Sequence, residues 1–128
     1  MTLTKQSKIF LQISSILMAI AIGIGAFGAH GLKPYLDDYG LSIYAKATSY
    51  EFYMTIGLFI ISFISIIIPN SSKVKTSFYL LLSGMIIFSF SLYILALTKI
   101  MWLGAITPIG GTLMIAGWLV LFFAINDK

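Results

Sequence analysis

The sequence has no cysteine and no arginine, a single histidine, and four acidic residues among 128. Without cysteine there are no disulfides, thiolate nucleophiles or cysteine-ligated metals. A lone histidine, His30, excludes a haem held by two histidines of one chain. Charged residues make up 9% of the chain, against about 25% in an ordinary soluble domain. Hydrophobic residues make up 59%, more than a soluble fold of this size can hide from water. The solvent for most of this chain is lipid.

All twelve charged residues lie outside four uncharged runs: Ile9–Ala29 (21 residues), Phe52–Ile68 (17), Thr76–Thr98 (23) and Ile100–Asn126 (27). A helix needs about 20 apolar residues to cross the hydrocarbon. The second run is short, so its helix is expected to begin earlier, near Ser42, through the amphipathic residues Tyr44, Ala47 and Tyr50. Barrel strands alternate apolar with polar residues, and Leu58–Ile68 and Leu113–Ile125 do not. The expected fold is an all-α membrane protein, a four-transmembrane-helix bundle. It forms one domain over 1–128, with spans about 9–30, 50–69, 76–98 and 102–125. The two halves do not resemble each other, so an inverted-repeat transporter within one chain is not indicated.

The net charge of +4 comes from lysines that sit between the runs and form no patch, which points to no nucleic acid. With four spans, Lys5, Lys8, Lys73, Lys75 and Lys128 share the side of both termini, and Lys33, Lys46 and Lys99 lie opposite. The positive-inside rule then puts both termini in the cytoplasm. The first run is longer than the apolar core of a signal peptide, about 7–15 residues, so it is expected to stay as a span.

Gly23, Gly25 and Gly28 match a dinucleotide fingerprint by spacing alone, but no strand precedes them. They make better sense as packing residues. Ala21, Gly25 and Ala29 are spaced by four beside Gly28, and Ala19, Gly23 and Ala26 line the adjacent face. Small residues let helix backbones approach closely in lipid, either within the chain or across a dimer.

His30 closes the first span and Glu51 opens the second, where a side chain can reach interfacial water or serve a proton-linked or ligand-binding role. In the loop between them, Asp37 and Asp38 suit turn and capping roles and are too few for a calcium cage. Ser89 and Ser91, deep in span three, are expected to bond a neighbouring helix or their own carbonyls. In span four, Thr107 suits an N-cap and Pro108 a first helical residue. Gly110 and Gly111 then either open the helix N-terminus to an anion or pack against span one. His30, Glu51 with Tyr50, Tyr93, and Thr107 to Gly111 all fall towards the same face of the membrane. That convergence is the candidate ligand or partner site; no catalytic or metal residues are assigned.

The strings Gly25-Ala-Phe-Gly-Ala-His-Gly31, Tyr50-Glu-Phe-Tyr53, Phe88-Ser-Phe-Ser-Leu-Tyr-Ile-Leu-Ala-Leu97 and Leu103-Gly-Ala-Ile-Thr-Pro-Ile-Gly-Gly111, with Gly117-Trp118, resemble the YgdD/YwdK-type family of small bacterial membrane proteins. The resemblance covers nearly the whole chain and implies a four-span inner-membrane protein containing a domain of unknown function. Glu51 stands where that family usually has glutamine, Met54 where it has histidine, and Phe90 where it has glycine.

The leading expectation is an accessory or structural protein in the lipid bilayer that binds a membrane-protein partner or lipid at the outer-leaflet cluster. The alternative is an oligomeric transporter or channel for a small solute or ion, using His30 and Glu51 between subunits of a homo-oligomer. An enzyme ranks last, because few general acid–base pairs are present. No cofactor is expected.

Overall fold

Three of the four apolar runs become helices that start ahead of the runs, because polar side chains in the flanks cap them. Helix α1 (Lys5–Phe27) starts after Thr4, whose Oγ1 accepts from the Ser7 amide at 3.1 Å. Helix α2 (Asp38–Ile67) starts after Asp37, whose Oδ1 accepts from the Gly40 amide at 2.7 Å. Helix α3 (Ser72–Thr98) starts after Ser71, whose Oγ accepts from the Val74 amide at 3.2 Å. Each cap satisfies an amide that no helical carbonyl can reach. The computed structural model describes residues 2–128, and among them there are helices and no strands.

Helix α1 continues into a π-helical turn, Gly28–Leu32, and a 3₁₀ turn, Met101–Ala105, leads into α4 (Thr107–Asn126). All four helical segments are long and apolar enough to cross a membrane. The Asp37 cap starts α2 four residues before Ser42 and twelve before residue 50. At 1.5 Å per residue the 30 residues of α2 extend about 45 Å, well beyond a hydrocarbon thickness of about 30 Å.

The helices pack in chain order, α1 on α2, α2 on α3 and α3 on α4. Between α3 and α4 the approach is closest. A Cβ built on Gly110 would lie 2.5 Å from the Phe88 nitrogen, and one on Gly84 would lie 2.7 Å from the Gly110 carbonyl oxygen. The closely packed glycines of α4 therefore meet α3, not α1, because α4 folds back on the helix that precedes it. The small residues of α1 divide. Ala21 is buried, Gly25 meets Thr48, and Gly28 meets the Tyr44 ring so closely that no β-carbon fits. Ala29 is exposed, as are Ala19, Gly23 and Ala26.

Each helix pair is also tied by directional polar bonds. Tyr44 donates to the Ile24 carbonyl (2.6 Å), Ser89 to the Ala47 carbonyl (3.0 Å) and Ser77 to the Gly117 carbonyl (2.8 Å). These bonds suit a bundle in lipid, where association has no hydrophobic drive and rests on packing and hydrogen bonds. The buried apolar residues form two clusters. One, towards the termini, is built on Phe10, Phe78, Leu58, Leu81 and Met85. The other, towards the far face, is built on Tyr44, Tyr93, Leu92, Leu95 and Leu103.

Candidate functional site

Glu51 is the one carboxylate inside a membrane span beyond its first turn. Because α2 starts at Asp38, Glu51 lies thirteen residues in, about 20 Å along the axis. Its side chain is fully buried, so it does not reach interfacial water as a residue at a span end would. The Tyr93 hydroxyl donates to Glu51 Oε1 at 2.7 Å and also faces Thr48 Oγ1 at 3.1 Å. Thr48 Oγ1 in turn donates to the Tyr44 carbonyl at 3.1 Å, and the Tyr44 and Tyr93 rings meet edge to face at 4.8 Å. Glu51 Oε2 is buried and has no hydrogen-bond partner among the described residues.

The residues of this network on α2 follow a single stripe, Tyr44, Thr48, Glu51 and Thr55, spaced by four, three and four. That is the interior face of a helix. The stripe continues to Ser62 and Ser65, which bond carbonyls of their own helix. Thr48 and Tyr44, linked to Glu51 through Tyr93, are members of the network that the motif reading passed over, although the spacing was available to find them.

The expected convergence is only partly realised, because α3 stands between its members. Glu51 and Tyr93 meet on the α2 side of α3. Thr107 sits on the α4 side, with its hydroxyl 2.7 Å from Ser91 Oγ. Ser91 also donates to its own Phe88 carbonyl, and Ser89 crosses to α2, so both expected uses of these serines occur. His30 is exposed on the π turn, and the Glu51 carboxyl bonds Tyr93 rather than this histidine. Tyr50 faces outward, 38% exposed, with its ring tilted on Phe88 at 4.6 Å.

Helix α4 does not offer an open N-terminus. Thr107 is its first residue rather than its cap, and its hydroxyl turns inward to Ser91. The 3₁₀ turn supplies carbonyl partners instead: the Ile106 amide donates to Leu103 and the Ile109 amide to Ile106, each at 3.0 Å. Pro108 occupies the first turn, is exposed and lacks an amide to leave unpaired. Gly110 packs on α3, and Gly111 lies beside the Phe88 ring.

Beside the buried network, a groove of about 350 Å³ opens between α1 and α2. Gly25, Gly28, Ala29, Ala45, Thr48 and Ser49 form most of its wall, with Leu41 and Tyr44 as the larger side chains. Thr48 belongs to both groove and network. At the far face, Lys99 pairs with Asp37 at 3.0 Å. Asp37 is held below its ordinary value by the Gly40 amide, and then by Lys99. Among the described residues no three His, Cys, Asp or Glu side chains gather to hold a metal ion.

Four apolar spans, packed in sequence and pinned by buried hydroxyls around one carboxyl, define a polytopic α-helical membrane protein. The chain belongs to the family described as protein of unknown function DUF423, which its residues 24–111 match. It is 49% identical over 117 residues to a UPF0382 membrane protein of Staphylococcus epidermidis, covering 91% of this chain and 94% of that one. It is 48% identical over 117 residues to UPF0382 membrane protein SH2409 of Staphylococcus haemolyticus, with the same coverage of 91% and 94%. It is 38% identical over 117 residues to UPF0382 membrane protein YwdK of Bacillus subtilis, covering 91% and 95%. The resemblance read from the sequence motifs is thus borne out. No solved structure matches the chain.

Proposed function

We propose that this protein is a non-catalytic accessory component of the bacterial cytoplasmic membrane that holds a helix of another membrane protein in the groove between α1 and α2. The groove wall is the observation that carries the reading. Six of its residues are glycine, alanine, serine or threonine, the side chains that let a second backbone approach and then bond to it. The Thr48–Tyr93–Glu51 network lies behind this wall and supports it, so the surface meets a partner already shaped. The lysine distribution, five on the side of the termini against three opposite, favours both termini in the cytoplasm. The groove then lies towards the outer leaflet.

A second reading, an oligomeric transporter or channel, draws on Glu51 Oε2, a buried acceptor without a partner in its own chain. Purification in mild detergent with native mass spectrometry separates the two. The accessory reading expects a co-purifying membrane protein that is lost when Ala29→Leu and Ala45→Leu fill the groove while the bundle still folds. A homo-oligomer whose ion flux in liposomes disappears in Glu51→Gln overturns it in favour of transport. Labelling of a cysteine introduced at Thr2, from one side of sealed vesicles at a time, tests the orientation.

A further inference from the structure

The geometry points to a second site at the end of the bundle that carries the termini: a notch that binds a phosphate group. It is a pocket of about 340 Å³ between the first turns of α1 and α3. Lys5 and Gln6 enter it from α1, and Lys75 and Tyr79 from α3. Among the described residues no acidic side chain comes within ion-pair distance of either ammonium group. Of the four acidic side chains, Asp37 pairs with Lys99, Asp127 with Lys73, Glu51 is bonded to Tyr93, and Asp38 stands in the first turn of α2. Among the described residues neither Lys5 nor Lys75 makes an ion pair.

Gln6 supplies a separate observation. Its Nε2, a double donor, has almost no accessible surface and, among the described residues, no hydrogen-bond partner. An amide withdrawn from water without an acceptor is costly, and an acceptor in the notch relieves that cost once the Gln6 side chain turns its amide towards it. The polar residues that line the site are therefore Lys5, Lys75, Gln6, Thr4, Asn70 and Tyr79, with no acidic side chain among them. The positive ends of the α1 and α3 dipoles lie at the same place and add to the attraction.

A phosphate suits this set, because its several oxygens can accept from donors that approach from different elements. The remaining wall is apolar. Ile9 and Phe10 continue the notch down α1 towards the hydrocarbon, and Phe10 is locked against Phe78 with ring centroids 3.8 Å apart. A polar head above an apolar wall, at the level where the helices begin, matches the junction of headgroup and acyl chain in an anionic phospholipid. Free phosphate offers the same chemistry without the apolar part. This site is independent of the groove between α1 and α2 and stands or falls separately.

The test uses the full chain in nanodiscs of phosphatidylcholine with and without phosphatidylglycerol, and native mass spectrometry of the lipid retained. Wild type is expected to retain phosphatidylglycerol in preference to phosphatidylcholine. A basic residue near an anionic surface contributes about 1 kcal/mol, or about 5-fold in affinity. Lys5→Gln with Lys75→Gln should therefore weaken retention about 30-fold. Gln6→Leu should weaken it without any change of charge. Lys8→Gln with Lys128→Gln, the same loss of charge at the same end, should weaken it clearly less, because only the general surface attraction is lost. Inorganic phosphate that displaces the lipid identifies the phosphate group alone as sufficient, and failure to displace it assigns the site to the whole lipid. Equal losses from both lysine pairs with Gln6→Leu silent, or no preference for phosphatidylglycerol in wild type, overturn the proposal.

Discussion

The two ends of this bundle are held by different balances of packing and hydrogen bonding. Towards the termini the interior is shape: Phe10 stacks on Phe78, with Leu58, Leu81 and Met85 packed around them. Towards the far face it is direction: Tyr44, Tyr93, Ser89, Ser91 and Thr107 each bond across a helix interface. Lipid is as apolar as any leucine, so burying apolar surface does not by itself choose helix partners in a membrane. The terminal end relies mainly on interlocking contours, with Ser77 on the Gly117 carbonyl and Ser14 beside Ser62 as its polar ties, and the far end on a denser set of hydrogen bonds that lipid cannot replace. The directional end also contains the buried carboxyl and the groove, so it is where recognition is best supported.

The comparison is sharpened first where α3 and α4 cross. Gly110→Val should force the two backbones apart and lower stability by about 3 kcal/mol or more, read as thermal unfolding in detergent. Gly104→Ala, where a Cβ meets nothing within 4 Å, should be near neutral; equal effects would show that the crossing is not tight. At the terminal end, Phe10→Ala should cost about 3 kcal/mol and be partly restored by Leu.

At the far end the cost should come from one hydroxyl. Tyr93→Phe removes a donor and few contacts, yet should cost about 1–3 kcal/mol by stranding the Glu51 carboxyl. Glu51→Gln keeps an acceptor for Tyr93 and should be far milder than Glu51→Ala. If Tyr93→Phe were silent, the claim that this end is held by hydrogen bonds would fail.

The smallest effect is expected at Asp37. Its folded-state value lies below the ordinary 3.8, so its stabilising contribution is present above that value. It is lost as pH falls below 3.8 through the depressed folded value. Acid titration of wild type against Asp37→Asn should show this difference at the α2 start. The two chains should converge at the acidic end, because both then lack the carboxylate.

Much of this was legible in the residues. The uncharged runs specify four helices because a backbone in lipid must satisfy its own hydrogen bonds. The polar flanks specify where three of them start, since Thr4, Asp37 and Ser71 are capping residues by type. The stripe Tyr44, Thr48, Glu51, Thr55 marks an interior face by its spacing. Hydropathy alone misplaces Glu51, because an uncharged run begins after a charged residue by definition, whereas the helix begins at Asp38, thirteen residues before Glu51.

The sequence by itself determined the class of protein, the number of spans, the family, and which side chains had to be kept from lipid. Only the tertiary structure decided the pairings: Glu51 with Tyr93 rather than His30, Thr107 with Ser91, and Gly110 against α3. Periodicity reports the face of a helix a residue occupies and carries no information about which neighbour that face meets. That choice is made by the packing of whole helices, where a single glycine contact or hydroxyl bond decides between faces of equal hydrophobicity.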